Sequence, residues 1–115
     1  MKAKIDNAKR VTTVMLGDES CAIPAVDQDT YLDFLDVREE VMGEQQARAG
    51  YTRAQYMKIR DMVLRIYGGT VDAEVITKKA TPGQIIAAFV AVEVAVAGET
   101  GDAVGAVRSN FRTGA

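Results

Sequence analysis

Thr81-Pro82-Gly83-Gln84-Ile85-Ile86-Ala87-Ala88-Phe89-Val90-Ala91-Val92-Glu93-Val94-Ala95-Val96-Ala97-Gly98 is the stretch on which the fold of this chain turns. Two readings compete for it. Val90, Val92, Val94 and Val96 alternate as a strand would. The opening carries helix-start signals instead: Thr81 as N-cap, proline at the first helical position and Gln84 at the third. These signals decide for a helix running from Thr81 to a stop at Gly98. Wound this way, Ile85, Phe89, Val92 and Val96 share one face, while Ala87, Ala88, Ala91 and Ala95 line the other. A helix that is apolar nearly all round belongs at the centre of a fold or at an interface. The apolar run from Ile85 to Gly98 is interrupted by Glu93 and falls short of the about 20 residues that span a bilayer.

Working outward, a second helix opens at Thr52 with Gln55 as its capping-box partner. Tyr56, Ile59, Met62, Val63 and Ile66 form its stripe, and Gly68-Gly69 supplies a left-handed stop. Earlier in the chain, Thr30 with Asp33 three residues on reads as the start of a first helix. Its apolar positions are Tyr31, Phe34, Leu35, Val41 and Met42; Gly43 is a candidate end, and Glu44 to Ala49 could carry the helix further. Thr70 to Lys79 leaves room for one short helical turn.

The first thirty residues read as a β-hairpin. Lys9 to Leu16 is rich in β-branched residues, Gly17-Asp18-Glu19 is turn chemistry, and Cys21-Ala22-Ile23 resumes an apolar segment. Pro24 cannot donate to a ladder, so the second strand is short or lies on an edge. A lone hairpin is marginal and must dock on something. The expected fold is therefore α+β and mainly α: an N-terminal β-hairpin packed on a bundle of about three helices. Residues 1–98 form one domain in this reading, and the Gly, Ala and Thr content of 99–115 suggests a flexible C-terminal tail.

Composition excludes several functions. The chain has 115 residues, 14 basic and 16 acidic, and a net charge of −2, which is not the footprint of a nucleic-acid-binding domain. It contains no histidine, so no His-based triad or proton shuttle can be built. Cys21 is the single cysteine; without a His partner it reads as a small core residue rather than a nucleophile. Gly68-Gly69-Thr70 and Gly98-Glu99-Thr100-Gly101 lack the Lys-Ser/Thr ending of a phosphate loop. Asp33, Asp36, Glu39, Glu40 and Glu44 cluster on the first helix, and a solvated acidic face explains them better than a metal site. No enzyme activity, cofactor, metal, nucleic-acid partner or membrane association is expected. The N-terminus has charge but no apolar run behind it, so no secretory signal is read there.

Charge is segregated between the first two helices. Asp27 to Gln46 holds seven acids against Arg38, and Ala47 to Ile66 holds five bases against Asp61. Opposite signs favour antiparallel docking of the two, or pairing across subunits. The third helix asks for more cover than two helices and a hairpin provide. Ile85, Ile86, Phe89, Val90, Val92 and Val96 are therefore the expected surface for a partner or for self-association into a homo-oligomer.

The order of these signals resembles the tail assembly chaperones of long-tailed bacteriophages. Met15-Leu16-Gly17-Asp18-Glu19-Ser20-Cys21-Ala22-Ile23-Pro24 looks like that family's N-terminal hairpin, and Thr30 to Val41 like its first helix. Met62 to Glu74, with Tyr67-Gly68-Gly69-Thr70 at its centre, resembles a helix ending in aromatic-Gly and stepping into a short acidic turn. Thr81 to Gly98 resembles the family's last apolar helix, so the likeness covers roughly residues 10–98. Lys78 and Lys79 dilute the acidic turn, and the second helix is more basic than the family pattern. The resemblance implies a non-enzymatic protein of the host cytoplasm, absent from the mature virion. Such a protein binds the long helical tape-measure protein and helps recruit tail-tube subunits. Two other classes compete: a virion structural piece such as a head–tail connector, and a small DNA-binding regulator using Thr52 to Tyr67. The bases of that last segment are spread around the helix rather than along one face.

Overall fold

The computed structural model describes residues 13–45 and 50–114, with side chains for 13–42 and 50–104. Strand β1 (Thr13–Leu16) and strand β2 (Glu19–Ala22) form an antiparallel hairpin, with Leu16 opposite Glu19 and Val14 opposite Cys21. The turn is two residues long, and Gly17 has φ +65°. Glycine reaches that region without the penalty a side chain would carry, and at the first central position it gives a turn whose twist suits the strands. Val14, Leu16 and Cys21 point inward, while Thr13, Met15, Ser20 and Ala22 face out. Of the expected first strand, Lys9 to Thr12 lie outside the described residues.

Three long helices and one short turn follow: α1 (Gln28–Gln45), α2 (Arg53–Tyr67), a π-helical turn (Val75–Lys79) and α3 (Pro82–Gly114). The fold is α+β and mainly helical, with the hairpin packed on the helices. β1 lies against α3 and the π-helical turn, α2 packs on both α1 and α3, and the fully buried side chains Leu16, Phe34, Ile59, Val63, Tyr67 and Phe89 meet in one core.

α2 starts as its residues dictate. The Gln55 amide donates to the Thr52 hydroxyl at 3.1 Å, and the Thr52 amide donates to the Gln55 side chain at 2.9 Å. α1 and α2 dock antiparallel through their opposite charges: Lys58 reaches Glu40 at 2.7 Å and Arg65 reaches Asp33 at 2.6 Å.

Several boundaries differ from the sequence reading. α1 begins at Gln28, because Asp27 and not Thr30 caps it; the Thr30 amide donates to Asp27 Oδ1 at 2.7 Å. Bonds from the Thr30 hydroxyl and amide, with Arg65 nearby, hold the Asp27 carboxyl below the usual carboxylate range. Of the two ends left open for α1, the helix takes the later one, passing Gly43 and running to Gln45. Gly68 ends α2 without a left-handed conformation, at φ −66°. A Cβ there would collide with the carbonyl oxygen of Leu64, so glycine is needed for close approach rather than for handedness. Within Thr70 to Lys79 the short turn is π-helical, the Ala80 amide donating to the Val75 carbonyl at 2.8 Å. The largest correction concerns Gly98: α3 passes through it and continues to Gly114. Gly98 and Gly101 lower helix propensity by about 1 kcal/mol each but do not forbid the conformation, and no proline follows Pro82 to end it. The expected boundary between domain and tail therefore falls in mid-helix.

Candidate functional site: the outer stripe of α3

The rotation of α3 about its axis is set at four points. At its start, Thr81 and Gln84 form a capping box, with the Gln84 amide donating to the Thr81 hydroxyl at 3.2 Å and the Thr81 amide to Gln84 Oε1 at 3.0 Å. The same Gln84 amide side chain also takes hold of the hairpin turn. Its Oε1 accepts from the Gly17 N–H at 2.8 Å, and its Nε2 donates to the Gly17 carbonyl at 3.2 Å. One turn further on, the buried Tyr67 hydroxyl donates to the Ala88 carbonyl at 2.8 Å. Burial, and secondarily Cys21, push the Tyr67 phenol far above its ordinary range, so it stays a neutral donor. Phe89 packs its ring on Phe34 of α1 with centroids 4.7 Å apart, and Glu93 meets Arg38 of α1 at 2.7 Å.

This pinning divides the expected partner surface. Ile85, Phe89 and Val92 are almost completely buried in the core, together with Ala88. They are spent inside the molecule. Ile86 and Val96 are half-buried, and Val90 alone of the six is exposed. Ala88 and Ala91 join the core face while Ala87 faces solvent, so the proposed alanine face is split.

On the side of α3 opposite the core, a different set lines up. Val90, Val94 and Val104 are 41%, 40% and 46% exposed, and Ala97 and Gly101 are exposed between them. The steps from 90 to 94, 97, 101 and 104 alternate four and three residues, the spacing of a seam that faces another helix. The stripe carries no charge. Ala97 and Gly101 at its middle would let a partner backbone approach closely. Gly101 and Val104 lie beyond Gly98, where the sequence reading ends the helix, and Val94 and Ala97 lie within it but outside the six residues of the expected partner surface. The four-three spacing running across Gly98 is the signal that finds them. Being apolar on both faces also gives Pro82–Val104 the length and hydropathy of a bilayer-crossing helix; in this fold its inner face is core and Glu93 is paired.

Other features offer less. A cleft of about 130 Å³ lies between the loop Ile23–Val26 and α3, bounded by Val92, Val96 and Glu99. A groove of about 380 Å³ between α1 and α2 is lined by Asp36, Glu40, Lys58, Asp61 and Arg65, and two of those residues pair with each other across it. Among the described residues no three His, Cys, Asp or Glu side chains come together as a metal site. Burial and the neighbouring Glu19 raise the Cys21 thiol, which keeps it protonated and poorly nucleophilic. Compared with protein-family models, curated proteins and solved structures, the chain finds no match in any of the three.

Proposed function

We propose that this chain is a non-enzymatic assembly factor of the kind represented by phage tail assembly chaperones, acting in the host cytoplasm and left out of the finished particle. Its work is to hold an apolar helix of a client, the tape-measure protein, against the outer stripe of α3 while tail-tube subunits are recruited. The observation that carries this reading is the alignment of Val90, Val94, Ala97, Gly101 and Val104 on the face turned away from the core. Monomeric soluble proteins rarely leave such a continuous apolar strip uncovered, and a helical client is the partner whose surface repeats at the same spacing. Fully burying an aliphatic side chain is worth roughly 1.5–3 kcal/mol; Val90, Val94 and Val104 are already more than half covered, so covering the rest gives a weak, reversible grip.

The test is to look for a long helical coding sequence beside this gene and to co-express its product with this chain, followed by affinity capture. Wild type should hold that product in solution, and Val94→Asp should release it with the circular dichroism of the chaperone unchanged. Capture that survives Val94→Asp, or a gene neighbourhood with no long helical coding sequence, would refute the reading.

A further inference from the structure

The hairpin has an edge that no described residue pairs with, separate from the α3 stripe. β2 has β1 as its one substantial partner among the elements. A two-residue turn makes Leu16 and Glu19 a hydrogen-bonded pair, and alternation makes Val14 and Cys21 the next one. Ser20 and Ala22 fall at the intervening positions, so the N–H and C=O groups of both point away from β1. Neither residue hydrogen-bonds to another described residue by that edge. Beside it lies an open hollow of about 250 Å³, floored by Cys21 and Val71 and bounded by Thr70 and Pro24. Pro24, the next outward position, has no N–H to offer, so the edge ends at Ala22.

We infer that β2 pairs with β2 of a second copy, antiparallel about a two-fold axis at Cys21, to make a four-stranded sheet across two subunits. The edge is self-complementary in this register. Ser20 of each copy exchanges both hydrogen bonds with Ala22 of the other, so all four outward groups on each edge find partners. Glu19 comes opposite Ile23 of the second copy and Asp18 opposite Pro24, so no two acids face each other. Cys21 meets its own copy as the non-hydrogen-bonded pair between them, with Cα atoms about 4.5 Å apart, inside the roughly 4.4–6.8 Å range of a disulfide. Cys21 is not a functional thiol here; it is a built-in reporter of the register.

The experiment is sedimentation of the purified full chain over a concentration series, alongside treatment with diamide and non-reducing electrophoresis. Wild type should move toward dimer mass with concentration and yield a reducible covalent dimer. Cys21→Ser should lose the covalent dimer and keep the mass. Ala22→Pro removes an outward donor from each copy and none of the bonds between β1 and β2, so it should weaken dimerisation roughly tenfold or more. Because the Cys21 thiol is buried, Ser20→Cys with Ala22→Cys in the Cys21→Ser background repeats the test on the exposed face, where those two positions pair across the axis. That variant also decides the matter if Ala22→Pro fails to fold. A wild type that is monomeric throughout, with no covalent dimer from either cysteine arrangement, overturns the proposal. So does dimerisation that a folded Ala22→Pro leaves unchanged. Val94→Asp should leave this dimer intact, so failure of the β2 pairing and failure of client capture read out separately.

Discussion

α2 and α3 begin with the same device and end in opposite ways. Both open on a Thr-x-x-Gln capping box, at Thr52 and at Thr81. α2 then has one apolar stripe, spends it on the core through Ile59, Val63 and Ile66, and stops where a side chain at Gly68 would strike the Leu64 carbonyl. α3 has two stripes, buries one under the hairpin and α2, and runs past Gly98 with the other facing out. A helix whose apolar surface matches its neighbours is complete within the subunit. One that is apolar on two faces keeps part of that surface exposed after the core is filled.

The sharpest way to break this comparison is to put a charge on each face of α3. Phe89→Asp buries an unpaired carboxylate against Phe34 and should cost more than about 4 kcal/mol, enough to unfold a domain of this size. Val94→Asp, five residues on and on the exposed stripe, should leave the thermal midpoint within a few degrees of wild type, a change of about 0.5 kcal/mol or less. Equal damage from the two would mean that the outer stripe is structural after all.

Smaller effects separate the two capping boxes. Gln84→Ala should cost about 1–2 kcal/mol in urea melts, since it removes a cap and frees both backbone groups of Gly17 at the hairpin turn. A loss no greater than that of an ordinary cap would mean the tie to the hairpin contributes nothing.

The glycines differ in sign. Gly68→Ala should destabilise by about 1 kcal/mol or more, because a Cβ meets the Leu64 carbonyl. Gly101→Ala meets nothing within 4 Å and should stabilise α3 by roughly 0.5–1 kcal/mol, and on the proposed function it should weaken client capture by filling the closest point of the stripe. A Gly101→Ala variant that binds as well as wild type would show that close helix approach is not used.

The least effect belongs to the cap of α1. The folded pKa of Asp27 lies below its unfolded value, so its contribution is present above the unfolded pKa and is lost as pH falls through the folded one. Asp27→Asn should therefore flatten the acid limb of the stability-versus-pH curve and change little near neutrality. An unchanged acid limb would rule out this cap as a source of pH dependence.

Local chemistry was enough to place most of the fold. Thr52 with Gln55, Thr81-Pro82 with Gln84, and the turn chemistry of Gly17-Asp18-Glu19 are signals whose hydrogen bonds close within a few residues, so the chain carries their outcome in its own order, although the turn proves two residues long and Glu19 belongs to β2. The opposed charges of α1 and α2 favour antiparallel docking within the chain or pairing across subunits, and Lys58 with Glu40 and Arg65 with Asp33 realise the first. What the sequence could not settle was which way α3 faces and where it stops. Ile85, Phe89 and Val90 are equally apolar as letters; only the hold of Gln84 on Gly17, Tyr67 on Ala88 and Phe34 on Phe89 turns the first two inward and leaves Val90 out. Those contacts join residues far apart in the chain, and the depth of burial they create is a property of the packed molecule. Gly98 shows the same limit from the other side: a residue that can end a helix does so only when the surrounding structure offers the chain somewhere else to go.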